Sequence, residues 1–167
     1  MQSQENKDLF DNPGNINIAL LKTGKEESMN ESTLVLDFKG YWTEQNLLEI
    51  PAETGVYCVY LYHDDGAVNE IIPRMLLYIG YAENVRERLA SHEKHSQWKE
   101  LSGYCQQLCY TFAKVSETEL VSAGDAMIFR HKPPENNISK EWCFSRRTIV
   151  FCEGKTPFLY SLFEVGE

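Results

Sequence analysis

Two tyrosines, an arginine and a histidine are the residues of this sequence whose types and spacing best suit chemistry. Tyr57 and Tyr78 occur in neighbouring apolar segments with strand-like alternation, and their positions allow both side chains to face one side of a hairpin. Arg88 and His92 follow four residues apart, so that on a helix they project together. Phenol and imidazole groups can take part in proton transfer, and a guanidinium group can bind an anion.

Three strands and two helices must position these residues. The segment ETGVYCVYLY predicts the first strand, because it alternates strictly between a face with Val56 and Cys58 and a face with Tyr57 and Val59. Turn chemistry at 64–66 leads to a second strand, and helix formers without Gly or Pro then predict a helix. A polar segment around Trp98 precedes a third strand and a second helix, which a capping box opens. The predicted elements are the strands Glu53–Tyr62, Met75–Gly80 and Gln107–Val115, the helix Ala82–Ser91, and a helix from the Ser116/Glu119 box to about His131.

Further strands are predicted on both sides of this core. Ile16–Leu21 and Thr33–Phe38 are short runs of β-formers before it, and Arg147–Cys152 with Phe158–Val165 predicts a closing hairpin after it. We therefore expect an α+β fold with a small antiparallel sheet, flanking helices, an N-terminal strand extension and a C-terminal hairpin. One structural domain is expected, with an acidic extension at 1–54 packed on a core at 55–137, followed by the hairpin at 138–167.

Two triplets resemble the paired signature of the GIY-YIG nuclease superfamily, namely Gly55-Val56-Tyr57 and Tyr78-Ile79-Gly80. Arg88 and His92 follow the second triplet, and the second helix ends in MIFRHKPPENN, where the family has a Pro and then an Asn. The matching residues extend to Asn136 and cover about half of the chain. The family fold has three core antiparallel strands flanked by helices, which agrees with the periodicity.

The resemblance implies a DNA endonuclease that hydrolyses a phosphodiester with a divalent metal, Mg²⁺ or Mn²⁺. By resemblance, Tyr57 is the phenol that activates water and Tyr78 is its partner. Arg88 would clamp the phosphate, and His92 would assist proton transfer or position the first phenol. Asn136 would orient the site. DNA is therefore the partner that the resemblance favours.

The sequence departs from the family at the metal. Alignment backwards from Pro133 and Asn136 puts the family's metal-binding glutamate at position 124, where this chain has Gly124. No metal ligand is then intact, and a glycine inside a helix costs about 1 kcal/mol relative to alanine. Since nothing in the local sequence requires glycine, we infer that a larger side chain was lost, by natural degeneration or by deliberate inactivation. Tyr81 is a second departure, because several family members carry a polar or basic residue there.

Other side chains are weak candidates to replace the missing metal ligand. Asp125 is about 100° further round the helix and is expected to point away from the tyrosines. Glu119 is the capping partner, and Glu117 lies roughly 10 Å along the helix axis. A zinc site at Cys105 and Cys109 lacks the usual ligand spacing. The chain is thus predicted to be an impaired endonuclease or, alternatively, a non-catalytic pseudonuclease that binds DNA or a protein partner.

The charge distribution bears on these partners. The net charge of −9 argues by itself against nucleic acid, since phosphate binding needs a positive surface. Residues 1–54 carry ten acids against four bases, a net of −6, which leaves −3 for the other 113 residues. We expect this acidic third to pack away from the site or to contact a protein partner. The residues expected to meet phosphate are Arg88, Arg130, Lys132, Arg146 and Arg147, with Lys140 in the same basic stretch.

Composition predicts a cytoplasmic protein without membrane partners. The sequence has no apolar run of the roughly 20 residues that a spanning helix needs. The first ten residues, MQSQENKDLF, lack the basic and apolar regions of a signal peptide. The five cysteines are odd in number and include no C-x-x-C pair, so we expect free, buried thiols.

Overall fold

The computed structural model describes residues 31–64, 66, 70–103, 105–137 and 141–166. The predicted strand Ile16–Leu21 and Lys140 lie outside these residues. Six strands are described: β1 (Glu31–Thr43), β2 (Gly55–His63), β3 (Pro73–Ala82), β4 (Gln106–Lys114), β5 (Arg147–Gly154) and β6 (Leu162–Val165). The described α-helices are α1 (Val85–Ala90), α2 (His95–Leu101) and α3 (Leu120–His131), and a 3-10 turn covers Leu47–Glu49.

The strands form one sheet in the order β3-β2-β4-β1-β5-β6. Strands β1 and β5 are parallel, and the other neighbouring pairs are antiparallel. The predicted α+β class is confirmed. The predicted antiparallel strands β3, β2 and β4 belong to a larger, mixed sheet of six strands. The predicted strand Thr33–Phe38 is part of β1, which lies inside the sheet and joins β4 to the C-terminal strands. Its alternating residues Leu34, Leu36 and Phe38 are buried and belong to the part of β1 that pairs with β5, whereas Lys39–Thr43 pairs with β4.

Strand β2 has the two faces that its alternation predicts. Cys58 and Tyr60 lie in one buried cluster with Met127 of α3. Tyr57 and Val59 lie in a second buried cluster, which also contains the apolar residues Val85, Leu89 and Trp98 of α1 and α2. The sheet therefore separates two layers, with α3 on one face of β2 and the shorter helices on the other.

Strand β3 forms one edge of the sheet and runs from Pro73 to Ala82, longer at both ends than predicted. Pro73 can begin this strand because it needs no ladder hydrogen bond there. Tyr57 pairs with Gly80, and Val59 pairs with Tyr78, so both tyrosines point to the same face as predicted.

The short helices differ from the sequence-based expectation. Asn84 caps α1 by accepting a hydrogen bond from the backbone N–H of Glu87, and the helix ends at Ala90. His92 therefore lies beyond the helix, and the prediction that it shares a helical face with Arg88 is wrong. Helix α2 was not predicted, because its polar segment has no apolar stripe apart from the fully buried Trp98.

Helix α3 ends at His131 as predicted, where Lys132 adopts a left-handed conformation with φ of 46°. At its start, Ser116 Oγ donates to the carboxylate of Glu119 instead of forming the backbone bonds of a capping box. The C-terminal hairpin of β5 and β6 is confirmed.

Three of the five free cysteines are buried, and two, Cys105 and Cys143, are exposed, which corrects the expectation of five buried thiols. Within the described ranges no helix has the length and apolarity to cross a membrane.

Candidate functional site

A cavity of about 330 Å³ lies at the outer edge of β3, between the two layers. The sheet contributes three tyrosines, α1 and the segment before α2 contribute two cations, and α3 contributes a carboxylate. The lining residues that matter here are Tyr57, Tyr78, Tyr81, Arg88, Lys94 and Asp125. The cavity thus combines aromatic rings, hydroxyl donors and both signs of charge.

Tyr57 and Tyr78 have ring centroids 6.2 Å apart. Gly80 makes this arrangement possible, since a Cβ at that position would lie 2.3 Å from Cζ and Oη of Tyr57. Burial raises the pKa of both phenols, and the neighbouring Arg88 opposes the shift without cancelling it. At neutral pH both phenols are therefore protonated and can donate hydrogen bonds into the cavity.

The Arg88 guanidinium is held by Glu93. Its Nη1 lies 2.7 Å from Oε2 of Glu93, and its Nη2 donates to Oε1 at 2.9 Å, which makes a two-donor ion pair. This pairing lowers the pKa of Glu93 to about 2, so the carboxylate is charged at all physiological pH values. An anion that enters the cavity must therefore share or replace the Glu93 carboxylate on Arg88.

His92 lies behind the tyrosines, with its side chain fully buried. Its ring centroid is 5.3 Å from that of Tyr78 and 4.4 Å from that of Trp98. Its Nδ1 accepts the backbone N–H of Lys94 at 3.1 Å, and among the described residues its Nε2 has no partner. Burial lowers the pKa of His92 to about 4, so the ring is neutral at pH 7. In this position His92 supports the tyrosine rings from behind and does not line the cavity.

The side-chain amide of Asn136 forms two hydrogen bonds with the backbone of β3. Its Oδ1 accepts the N–H of Ile79 at 2.9 Å, and its Nδ2 donates to the carbonyl of the same residue at 2.7 Å. The backbone N–H of Glu135 also donates to the carbonyl of Leu77 at 3.0 Å. The segment after α3 therefore closes the open edge of β3 beside the two site residues Tyr78 and Gly80.

The glycine at position 124 is explained by a tertiary contact that the sequence does not reveal. A Cβ at this position would lie 1.9 Å from Cδ1 of Tyr81, so the tyrosine ring occupies the space of a side chain. Nothing in the local sequence requires a glycine at position 124, but this contact with β3 leaves no room for a larger side chain. The Tyr81 ring from β3 packs directly against the α3 backbone, which is possible only because position 124 has no side chain.

Asp125 lines the cavity, which corrects the expectation that it points away from the tyrosines. The hydroxyl of Tyr81 donates to its Oδ1 at 3.0 Å. Burial and the neighbouring Asp125 carboxylate raise the pKa of Tyr81 to about 12. The two residues thus form one hydrogen-bonded unit on the α3 side of the cavity.

These residues do not fit the divalent metal that the family resemblance implies. Position 124 offers no ligand, the Tyr81 ring fills the space beside it, and Asp125 binds the Tyr81 hydroxyl. In the part of the chain that the structure describes, no group of three His, Cys, Asp or Glu side chains could hold a metal ion. The same finding applies to the zinc alternative at Cys105 and Cys109.

The five basic residues expected to meet phosphate are dispersed. Among the described residues that line the cavity, only Arg88 belongs to this set. Arg130 lies 4.4 Å from the ring centroid of Tyr160, and Lys132 lies near the ring of Phe129. Arg147 forms ion pairs at the far end of the sheet, with Glu31 at 3.2 Å and Glu164 at 2.5 Å, and Arg146 is exposed.

Lys94 is a cavity residue that the sequence analysis missed. Its Nζ donates to the backbone carbonyl of Glu135 and lies 5.6 Å from the centroid of the Tyr78 ring. Trp142, which follows α3 in the sequence, also lines the cavity. The only sequence signal for Lys94 is its place two residues after His92, and no periodic pattern includes Trp142.

No protein-family model, no curated protein and no solved structure matches this chain.

Proposed function

We propose that this chain is a phosphate-binding module of GIY-YIG type that holds nucleic acid without cleaving it. The observation that carries the proposal is the Tyr81 ring over Gly124. A metal-binding side chain that had simply been truncated would leave a void, whereas here an aromatic ring packs against the bare helix backbone. The fit between the two residues favours a site adapted to work without a metal.

The groups that remain are suited to a phosphate. Arg88 offers a planar guanidinium, and Lys94 adds a second positive charge to the same cavity. The phenols of Tyr57 and Tyr78 are protonated at neutral pH and add hydrogen-bond donors. By the resemblance of the two triplets, DNA is the first nucleic acid to test.

A metal-dependent endonuclease is the second candidate function. One observation favours it, namely that Asp125 brings a carboxylate into the cavity that Tyr57 also lines. We place it second because Tyr81 already donates to Asp125 and its ring stands over position 124.

The test measures binding and cleavage separately. Fluorescence anisotropy of the full chain with labelled single- and double-stranded DNA and RNA, in EDTA at low salt, should show binding that weakens as salt is added. Arg88→Leu should lose most of this affinity, and Arg88→Lys should keep part of it. The matched control is Arg74→Leu, which removes an exposed arginine of β3 that does not line the cavity.

Incubation of the same substrates with Mg²⁺ or Mn²⁺ should give no cleavage. Metal-dependent cleavage that both Asp125→Asn and Tyr57→Phe abolish would replace our proposal with the second candidate. Absence of binding to every nucleic acid at low salt would reject both functions. The predicted protein partner of the acidic N-terminal region would then be the remaining hypothesis.

A further inference from the structure

We propose that the cavity at the edge of β3 receives a single nucleotide that carries a phosphate monoester, with the phosphate on Arg88 and Lys94 and the base against Trp142. This inference rests on the proposed function and narrows its ligand. Two ligands carry such a nucleotide with a phosphate monoester: a free nucleoside monophosphate and the phosphorylated end of a single strand. The experiment below distinguishes them.

The size of the cavity favours one nucleotide over a duplex. Its volume of about 330 Å³ falls in the range of small-molecule sites, which are about 300–1,000 Å³. A duplex presents one phosphate per roughly 1.7 Å of its axis, and proteins that hold it neutralise many phosphates at once. Among the described residues two cations line the cavity, and Arg147 is paired with carboxylates at the far end of the sheet.

The charge of the cavity favours a monoester over a diester. Once a phosphate replaces the Glu93 carboxylate on Arg88, the two cations Arg88 and Lys94 match the charge of a phosphate monoester, which is about −1.5 to −2 at neutral pH. An internal diester carries one negative charge and brings further phosphates toward a chain whose net charge is −9. A terminal phosphate therefore gains more from this site than an internal one does.

The arrangement of the two layers orients the ligand. Arg88 belongs to α1 and Lys94 to the segment before α2, although the Lys94 Nζ reaches the carbonyl of Glu135, whereas Asp125 belongs to α3 and Trp142 contacts Phe129 of that helix. The Asp125 carboxylate repels a phosphate at the α3 end, so the phosphate is directed to the two cations. The base is then left beside Trp142, where an indole face attracts any base by stacking.

Contacts with other aromatic residues hold the Trp142 ring in place. Its ring is parallel to that of Phe144 within 5°, with centroids 6.4 Å apart, and it meets the edge of Phe129 at 6.0 Å. An aromatic ring that is already held in place loses little conformational entropy when a base stacks on it.

Arg88 is also prepared for a monoester. In the structure it holds the two oxygens of the Glu93 carboxylate with two nitrogens. A phosphate monoester presents the same pair of acceptor oxygens to the guanidinium fork. A phosphate in the cavity therefore competes for this guanidinium with the exposed carboxylate of Glu93.

The test uses the full chain and labelled single-stranded DNA of one sequence with a 5′-phosphate, a 3′-phosphate or hydroxyl ends. We expect a phosphorylated end to raise affinity at least about tenfold over hydroxyl ends. Unlabelled adenosine monophosphate should compete for the same site better than adenosine or inorganic phosphate alone. Competition by the free nucleotide without a preference for phosphorylated ends would support the inference with the free nucleotide as the source.

Variants at Trp142 test the placement of the base. Trp142→Leu should weaken the binding of adenosine monophosphate about tenfold and leave competition by inorganic phosphate unchanged. Trp142→Phe should retain most of the affinity for the nucleotide. Tyr160→Leu is the matched control, because Tyr160 is an exposed aromatic residue that does not line the cavity. An unchanged affinity in Trp142→Leu would overturn the placement of the base.

The outcomes separate the inference from the proposed function. Oligonucleotides that bind equally with and without terminal phosphate, together with no competition by adenosine monophosphate, would overturn the inference and leave the proposed function standing. Failure of every oligonucleotide and of the nucleotide to bind would overturn both.

Discussion

The side-chain amide of Asn136 forms with Ile79 the two hydrogen bonds that a further strand would form at the edge of the sheet. The two residues are 57 positions apart, and both groups are buried. The sequence resemblance gives Asn136 a role in orienting the site. The contact provides a physical route for that role, since Ile79 lies between Tyr78 and Gly80.

Asn136→Ala should lower the free energy of unfolding by about 2–4 kcal/mol, because it leaves a buried donor and a buried acceptor of Ile79 without partners. Urea denaturation measures this loss. Asn136→Asp keeps one acceptor and replaces the donor, so it should also destabilise, and more at neutral pH than in acid, where the carboxyl is protonated. A loss below about 0.5 kcal/mol for Asn136→Ala would show that the contact contributes little.

Gly124→Ala should destabilise the protein, although alanine is the better helix former by about 1 kcal/mol. The reason is the Tyr81 ring, whose Cδ1 would lie 1.9 Å from the new Cβ. In a Tyr81→Ala background the same change should stabilise by up to about 1 kcal/mol, because only helix propensity then remains. Thermal unfolding of the four proteins in this cycle measures the coupling, and equal effects in both backgrounds would contradict the contact.

Gly124→Glu alone should fail to create a metal site, and it should destabilise the chain through the same contact. Without this contact, helix propensity would predict a slight stabilisation, and the family resemblance would predict restored metal binding. Titration of Mg²⁺ or Mn²⁺ during thermal unfolding distinguishes the two, because a metal that binds only the folded state raises the midpoint. A rise with Gly124→Glu and none with Gly124→Gln would support the sequence-based expectation.

Stability should fall in mild acid because of His92. Its folded-state pKa is about 4, below the roughly 6.5 of an unfolded histidine, so the unfolded state binds more protons between these values. The contribution of the neutral ring is complete above about pH 6.5 and is lost as the pH falls to about 4, a change of about 3 kcal/mol. Urea denaturation across this window measures it. His92→Gln should flatten the dependence, and an equally steep one in that variant would assign it to other groups.

Glu93→Gln should strengthen binding of a 5′-phosphorylated oligonucleotide several-fold, because it removes the carboxylate that holds Arg88. Glu87→Gln on α1 changes the net charge equally and is the control, since Glu87 is exposed and no ion pair to Arg88 is found for it among the described residues. The difference between the variants should shrink at high salt. Equal gains in both would show a general charge effect instead.

Local patterns in the sequence were sufficient for much of the core. Strict alternation in β2 predicted its two faces, and with β3 it predicted that Tyr57 and Tyr78 share one of them. Lys132 and the prolines after it predicted the end of α3. These features depend on residues close together in the chain, whose periodicity reports which side is buried.

Tertiary structure alone decided the chemistry of the site. Tyr81 and Gly124 come from different elements, and their close packing gives the glycine a reason that no helix pattern contains. The position of β1 inside the sheet likewise depends on pairing with distant strands. Asp125 faces the cavity because β3 and α3 pack so that the Tyr81 hydroxyl reaches it. Residue type and spacing predict which side of an element is buried, whereas the partner on that side is set by contacts between residues far apart in the chain.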